Sequence, residues 1–184
     1  MRVRCGVASW TNAPLAAEPG IQRGRIRIMP IVEDSILISA PRESLFPLSQ
    51  DYAARLAWDP FLRDMRFLDG SKEAGVGVRV WVRAWTGLTM EVKLTGYRPP
   101  AAVAMKMLRG PWFFRRFAGT WLFEPHAGGG TQVTFRYSFE SRWRWLRPLL
   151  DPVIRRGFHR DIRARLRGLK EGAEHGGLLK EPGD

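Results

Sequence analysis

A single cysteine, Cys5, leaves the chain without an internal disulfide. Histidine is nearly as scarce. His126, His159 and His175 are scattered so that no two have metal-ligand spacing within a helix or hairpin, and no metal is expected. Long apolar runs are missing too: none approaches the ~20 residues a helix needs to cross a bilayer. The stretches "DGSKEAGVG" and "HAGGGT" lack the strand-to-helix setting of a phosphate-cradling loop and read as turns. No carboxylate pair and no nucleophile beside a base stands out, so the residues alone assign neither a catalytic mechanism nor a cofactor.

At the start, Arg2 and Arg4 precede "CGVASWTNAPLAAEPG", which is too polar and too broken by Pro14 and Pro19 for the core of a signal peptide. Cys5 also stands too near the beginning to follow the hydrophobic stretch that a lipid-anchored cysteine requires. The expected location is cytoplasmic.

What the sequence does hold is positive charge: 30 Lys and Arg against 18 Asp and Glu, a net +12. A surplus of that size attracts nucleic acid or anionic lipid over long range. The cations are mostly arginine and spread along the chain, so a compositional preference for arginine accounts for the same surplus. Residues 1–28 show no period and carry five arginines against Glu18, a net +4. They are expected to form a disordered arm, or an extension ahead of the working start. One domain over 29–175 and a flexible tail over 176–184 complete the expected organisation.

Regular patterning begins at Ile31. "IVEDSILIS" is a β-branched run without a breaker, hence a strand. Pro41 suits a first helical turn, so "PRESLFPLSQ" reads as a short helix that Pro47 cuts. "DYAARLAWDPFL" is a second short helix, with Asp51 as its N-cap. Period-two strands follow. Val76, Val78, Val80 and Val82 share one face, opposite Arg79, Trp81, Arg83 and Trp85. Met90, Val92 and Leu94 oppose Glu91 and Lys93, and Val103, Met105 and Met107 fall together. After a bend at Pro111, Phe117, Trp121 and Phe123 oppose Arg116, Thr120 and Glu124, with Gly119 letting the strand curve. Val133, Phe135, Tyr137 and Phe139 oppose Thr134, Arg136 and Ser138.

Successive strands of this kind make an antiparallel sheet with one covered face. The cover is the last segment, where Leu146, Leu149, Leu150, Val153, Ile154, Phe158, Ile162, Leu166 and Leu169 step by three and four along one helical stripe. Asp151 followed by Pro152 is an N-cap and first-turn signature that marks the expected start of the main helix, either directly or after an extra turn. The fold class is α+β: a strand, two short helices, a run of antiparallel strands and one long C-terminal helix.

Three stretches resemble the START-like helix-grip superfamily, also called SRPBCC, and within it the polyketide cyclase/dehydrase and coenzyme-Q-binding-like group. They are "DSILISAPRESLFPLSQDYAARLAWDPF", with a Trp-x-Pro step at Trp58, Asp59 and Pro60, the hairpin "GTWLFEPHAGGGTQVTFRYSFE", and the closing helix. The likeness spans Ile31 to Glu174. It implies a curved sheet of about seven strands around the long helix, with a ligand-binding cavity between them. It also implies a hydrophobic guest, such as a lipid, polyketide-like or quinone-like compound, and in a few members aromatase or cyclase chemistry. These families share an architecture far more than a set of catalytic residues.

On that architecture the inward set is Met90, Val92, Met105, Met107, Phe117, Trp121, Phe135, Tyr137, Phe158 and Ile162. It is large and soft, as a pocket for a flexible apolar ligand favours, and the same residues would also fill a solid core. The catalytic candidates are His159, at the margin of the stripe near the cavity mouth, and Tyr137, whose hydroxyl could meet a ligand carbonyl. Their ordinary readings are a histidine paired with Asp161 or solvent, and a buried tyrosine bonded to backbone. Asp59 caps the turn before Phe61. Trp112, Phe113 and Phe114 cannot all point inward, so that tip flanks a cavity entrance or touches a membrane. Trp81 and Trp85 read either as indoles beneath arginine stems or as a protein or membrane contact.

The leading expectation is a non-catalytic binding or carrier domain for a hydrophobic small molecule. The alternative is a polyketide cyclase or dehydratase, and the second alternative is a basic membrane-surface or nucleic-acid module.

Overall fold

The computed structural model of the protein describes residues 29–178 apart from 144, 146 and 176. The expected arm, 1–28, and most of the expected tail, 176–184, lie outside the described residues. Leu178, within the expected tail, is half-buried against the core.

The first strand, β1 (Ile31–Ile38), leads into two short helices, α1 (Arg42–Gln50) and α2 (Tyr52–Trp58). Asp51 caps α2, its carboxylate accepting from the amides of Ala53 and Ala54 at 3.0 and 3.1 Å. Pro47 does not cut α1, contrary to expectation; the helix runs on to Gln50. In so short a helix the proline forfeits one backbone bond, while Leu45, Phe46 and Leu48 around it are buried. Packing outweighs the breaker.

Six more strands follow: β2 (Leu62–Phe67), β3 (Arg79–Ala84), β4 (Thr89–Arg98), β5 (Ala102–Arg109), β6 (Phe114–Pro125) and β7 (Thr131–Ser141). Each pairs with the next, and β1 joins β7. The result is one curved antiparallel sheet in the order β1-β7-β6-β5-β4-β3-β2. Periodicity misses β2 because a bulge between Leu62 and Asp64 breaks the alternation, letting Leu62 and Met65 both bury. β3 begins later than expected. Gly77 has φ +91°, and Val76 is 67% exposed in the loop ahead of the strand instead of sharing the face of Val80.

The last element, α3 (Arg147–Glu174), is 28 residues long. It starts before Asp151, so Asp151 is not its N-cap. That carboxylate instead accepts from the Ser141 hydroxyl at 2.8 Å, tying the helix to the end of β7. Further along, Ile162, Leu166 and Leu169 are fully buried, whereas Leu149 and Val153 on the expected stripe remain exposed. Only the later part of the stripe closes the sheet. Arg163 and Lys170 pin that part to β1, through Asp34 at 2.6 Å and the Leu37 carbonyl at 2.8 Å.

The core is in two parts. The larger contains Phe46, Trp58, Trp121, Phe123, Phe135 and Phe139 with the buried residues of α3. The smaller gathers Leu62, Met65, Val80 and Val92 at the β2–β4 end of the sheet.

Candidate functional site

Sheet and α3 enclose a cavity of about 350 Å³ between those two clusters. That volume lies within the range of small-molecule sites. Leu62, Met65, Val80 and Val92 wall it on one side, and Phe117, Phe135 and Tyr137 on the other. Met90, Leu94 and Met105 lie beneath it on the sheet, facing Ile154, Gly157 and Phe158 of α3. Trp85 and Leu88 from the β3–β4 turn also border it, as do Pro111 and Phe113 from the β5–β6 loop. Trp85 and Leu88 are exposed, so this end is the mouth.

The opposite end holds charge. Arg55 of α2, Asp59 and Arg165 of α3 are at most 4% exposed. Asp59 accepts through Oδ2 from Arg55 Nε at 3.1 Å and from Arg165 Nη2 at 2.8 Å. Its Oδ1 accepts from the Phe61 amide at 3.2 Å. Arg165 also donates through Nη1 to the Tyr137 hydroxyl, which in turn donates to Asp161 Oδ2 at 3.3 Å. One carboxylate thus serves two guanidiniums, in a chain of bonds from α2 through α3 to β7. Arg55, Tyr137, Asp161 and Arg165 line the cavity. The Arg165 guanidinium lies 4.8 Å from the rings of both Phe61 and Phe135, and its Nε is buried without a partner.

Burial sets the protonation of this cluster. It pushes the Tyr137 phenol far above its usual range, so the hydroxyl keeps its proton. It raises Asp161 to about 6 against the pull of Arg165, with Asp59 adding to the rise. Burial also works against the charge on Arg165, but Asp59, Tyr137 and Asp161 outweigh it and hold that guanidinium above its ordinary value. The inner end therefore presents a fixed cation, a neutral phenol and a carboxyl that changes charge close to neutrality.

Of the expected ligand-contacting residues, Met90, Val92, Met105, Phe117, Phe135, Tyr137 and Phe158 line the cavity. Trp121 and Ile162 lie outside the lining, fully buried in the core, with Trp121 stacked on Phe135 at 4.0 Å. Met107 packs beside Gly110 at the end of β5. His159, expected near the mouth, is not in the lining; it sits one position round the helix from Phe158, with Nδ1 buried and without a partner. Tyr137 meets Arg165 and Asp161, not backbone. Asp59 caps the turn before Phe61 as expected and holds the two arginines besides. At the tip, Trp112 is exposed, while Phe114 turns inward onto Phe158 with the rings 5.8 Å apart. Trp81 lies beneath Arg66, its cross-strand neighbour, 4.5 Å from the guanidinium.

The polar cluster is what sequence reasoning missed. One signal was present: Arg165 follows Phe158 by seven residues and Ile162 by three, which puts an arginine on the apolar stripe. A cation there requires a buried partner. Among the described residues, no three His, Cys, Asp or Glu side chains gather as a metal site, and no helix is long and apolar enough to cross a membrane.

Comparison with known proteins adds a family and a fold. A family model described as "Polyketide cyclase / dehydrase and lipid transport" matches residues 29–174. Among solved structures, a protein from Thermus thermophilus superposes with a TM-score of 0.67 at 20% identity, covering 80% of this chain and 99% of that one. The Zhui aromatase/cyclase from Streptomyces gives 0.62 at 19% identity, covering 82% and 99%. A START superfamily protein from Mycobacterium smegmatis gives 0.64 at 12% identity, covering 78% and 97%. Identities this low establish the fold alone, which is START-like. No curated protein matches the sequence.

Proposed function

Because the chain belongs to the polyketide cyclase/dehydrase and lipid transport family, we propose that it binds and carries a hydrophobic small molecule with one polar end. The guest lies between sheet and α3, its apolar body toward the mouth and its polar end at Arg165, Tyr137 and Asp161. The observation that supports this most directly is an apolar cavity whose inner end carries a buried, bonded guanidinium. Between Ile154 near the mouth and Arg165, α3 advances roughly 16 Å at about 1.5 Å per residue. That length suits a lipid, a polyketide-like chain or a quinone-like compound with a tail. Apolar burial supplies most of the affinity, about 25 cal/mol per Å² before ordering costs. The polar end sets direction, because Arg165 is already desolvated and held in place.

A cyclase or dehydratase acting on a polyketide chain is the second reading, and Asp161 favours it. A carboxyl raised to about 6 and bonded to a phenol inside a cavity is suited to exchanging a proton near neutral pH. Native mass spectrometry of protein purified from its own host tests binding. A retained lipid, polyketide or quinone mass is expected, and it should disappear in Met105→Trp, which narrows the cavity. Protein that arrives empty and also fails to brighten an apolar fluorescent probe would refute the binding reading. If the retained guest is a polyketide, conversion by the wild type but not by Asp161→Asn favours catalysis, and no conversion by either favours carriage.

A further inference from the structure

Among the described residues, six large apolar side chains are at least 64% exposed: Val76, Trp85, Trp112, Trp145, Leu149 and Val153. All but Val76 belong to three segments around the mouth: the β3–β4 turn, the β5–β6 loop, and the stretch from the end of β7 through the first turns of α3. The last two segments are fastened together. Trp112 packs on Trp143 with the rings 4.7 Å apart, and the Arg142 amide donates to the Phe113 carbonyl at 2.8 Å. Trp85, Phe113 and Ile154, one from each segment, border the same cavity. A single exposed apolar side chain needs no account, but five on one rim form a patch that monomers rarely leave bare.

The rim is also basic. From Ser141 to Arg160 the sequence sets Arg142, Arg144, Arg147, Arg155, Arg156 and Arg160 against Asp151 alone. Asp151 is engaged by the Ser141 hydroxyl. Arg142, Arg155, Arg156 and Arg160 are exposed, as are Arg109 and Arg115 on either side of the Trp112 loop.

We propose that this rim docks on an anionic lipid bilayer, the tryptophans, Leu149 and Val153 entering the headgroup region while the arginines meet lipid phosphates. Tryptophan settles at headgroup depth, aliphatic side chains gain by leaving water, and basic residues are drawn by anionic lipid. Nucleic acid would use the arginines but has no need of Leu149 and Val153. Docking sets the mouth against the membrane, so an apolar guest passes between bilayer and cavity without crossing water. That last consequence rests on the binding reading; docking itself does not.

Flotation of the full chain with vesicles tests the proposal. Association is expected with phosphatidylcholine vesicles containing phosphatidylglycerol, not with phosphatidylcholine alone, and it should fall about tenfold or more as salt shortens the reach of charge. Three double variants follow: Trp112→Ser with Trp145→Ser, Leu149→Ser with Val153→Ser, and Arg155→Glu with Arg156→Glu. Each should weaken association by about tenfold or more. Uptake of an apolar probe in solution should stay unchanged, since none of these side chains lines the cavity, and the two pairs that spare the Trp112–Trp143 contact should leave thermal unfolding unchanged as well. Vesicle binding that survives all three pairs would place the attraction elsewhere, the arginine-rich 1–28 segment included, and would overturn the proposal. Equal binding to neutral vesicles would overturn it too. So would a stable dimer in light scattering that the same variants dissolve, or duplex DNA binding lost only with the arginine pair.

Discussion

Arg165 of α3 and Asp59 at the end of α2 are bonded Nη2 to Oδ2 at 2.8 Å, both buried, across 106 positions of sequence. The same Oδ2 accepts from Arg55. Two helices that touch the sheet at different places are therefore joined through a single carboxylate, at the polar end of the cavity. Stability and, on the proposed binding reading, ligand recognition draw on the same few atoms.

Removing that carboxylate should hurt more than removing either cation. Asp59→Ala leaves Arg55 and Arg165 as neighbouring buried charges of one sign, at a cost of about 3–5 kcal/mol. Arg165→Met leaves Asp59 still held by Arg55 and the Phe61 amide, and should cost roughly half as much. Urea unfolding midpoints of the two variants decide the order. The reverse order would mean the carboxylate is not the joint.

Asp161 makes stability depend on pH in a defined window. Its folded value of about 6 lies above the ordinary 3.8, so the folded state favours the neutral acid. Well below pH 3.8 both states hold the proton and there is no penalty. As pH rises from about 4 to about 6 the unfolded chain releases its proton first, and stability falls; above that the penalty is constant. Asp161→Asn should remove this fall, so its advantage over wild type grows between pH 4 and 6 and then levels off. Asp34, held low by Arg163, and Glu174, held low by the Ser39 amide and Lys170, act in the opposite sense at lower pH in both proteins. A stability difference that does not vary with pH would show that Asp161 titrates normally.

Two glycines of α3 should respond oppositely to alanine. A Cβ at Gly168 would stand 2.1 Å from the Trp58 carbonyl oxygen and 3.2 Å from Pro60 Cδ; at Gly157 it would meet nothing within 4 Å. Gly168→Ala should therefore cost about 1–3 kcal/mol by forcing helix and turn apart. Gly157→Ala should stabilise by up to about 1 kcal/mol, because alanine is the better helix former. Gly157 borders the cavity, so Gly157→Phe should block uptake of an apolar probe without lowering the melting temperature. Calorimetry paired with probe titration reads both effects.

Tyr137→Phe tests direction within the cavity. It removes the acceptor for Arg165 Nη1 and the donor to Asp161, while leaving the apolar walls intact. Affinity for a wholly apolar probe should barely change, whereas affinity for an amphiphile ending in a carboxylate should fall about tenfold, the worth of a charge-assisted hydrogen bond. Equal losses for both probes would argue against a polar end at this site.

Period-two alternation made most of the sheet legible, because in β7 every second side chain from Val133 to Phe139 meets the core. The same rule concealed β2, where one bulged residue puts Leu62 and Met65 on one side. Proline was over-read at Pro47, where the helix gives up one bond and keeps its packing, while Pro152 lies inside α3 one turn past its start. Alternation also assigns a face but not a depth. Trp121 shares the face of Phe117 yet is buried outside the cavity lining. The polar cluster escaped notice for a different reason. Arg55 and Asp59 stand a helical turn apart, but their third member lies at position 165, and no local rule connects them.

The placing of β1 beside β7 has a consequence for how the chain is made. Glu33 on the first strand accepts from Arg136 on the last, 103 positions later. At about 5–20 residues per second, translation leaves the first strand alone for several seconds at least. Through that interval Val32, Ile36 and Ile38 lack the neighbour that shelters them. Closure across so long a loop is slow, so the wall is finished only once synthesis is nearly over.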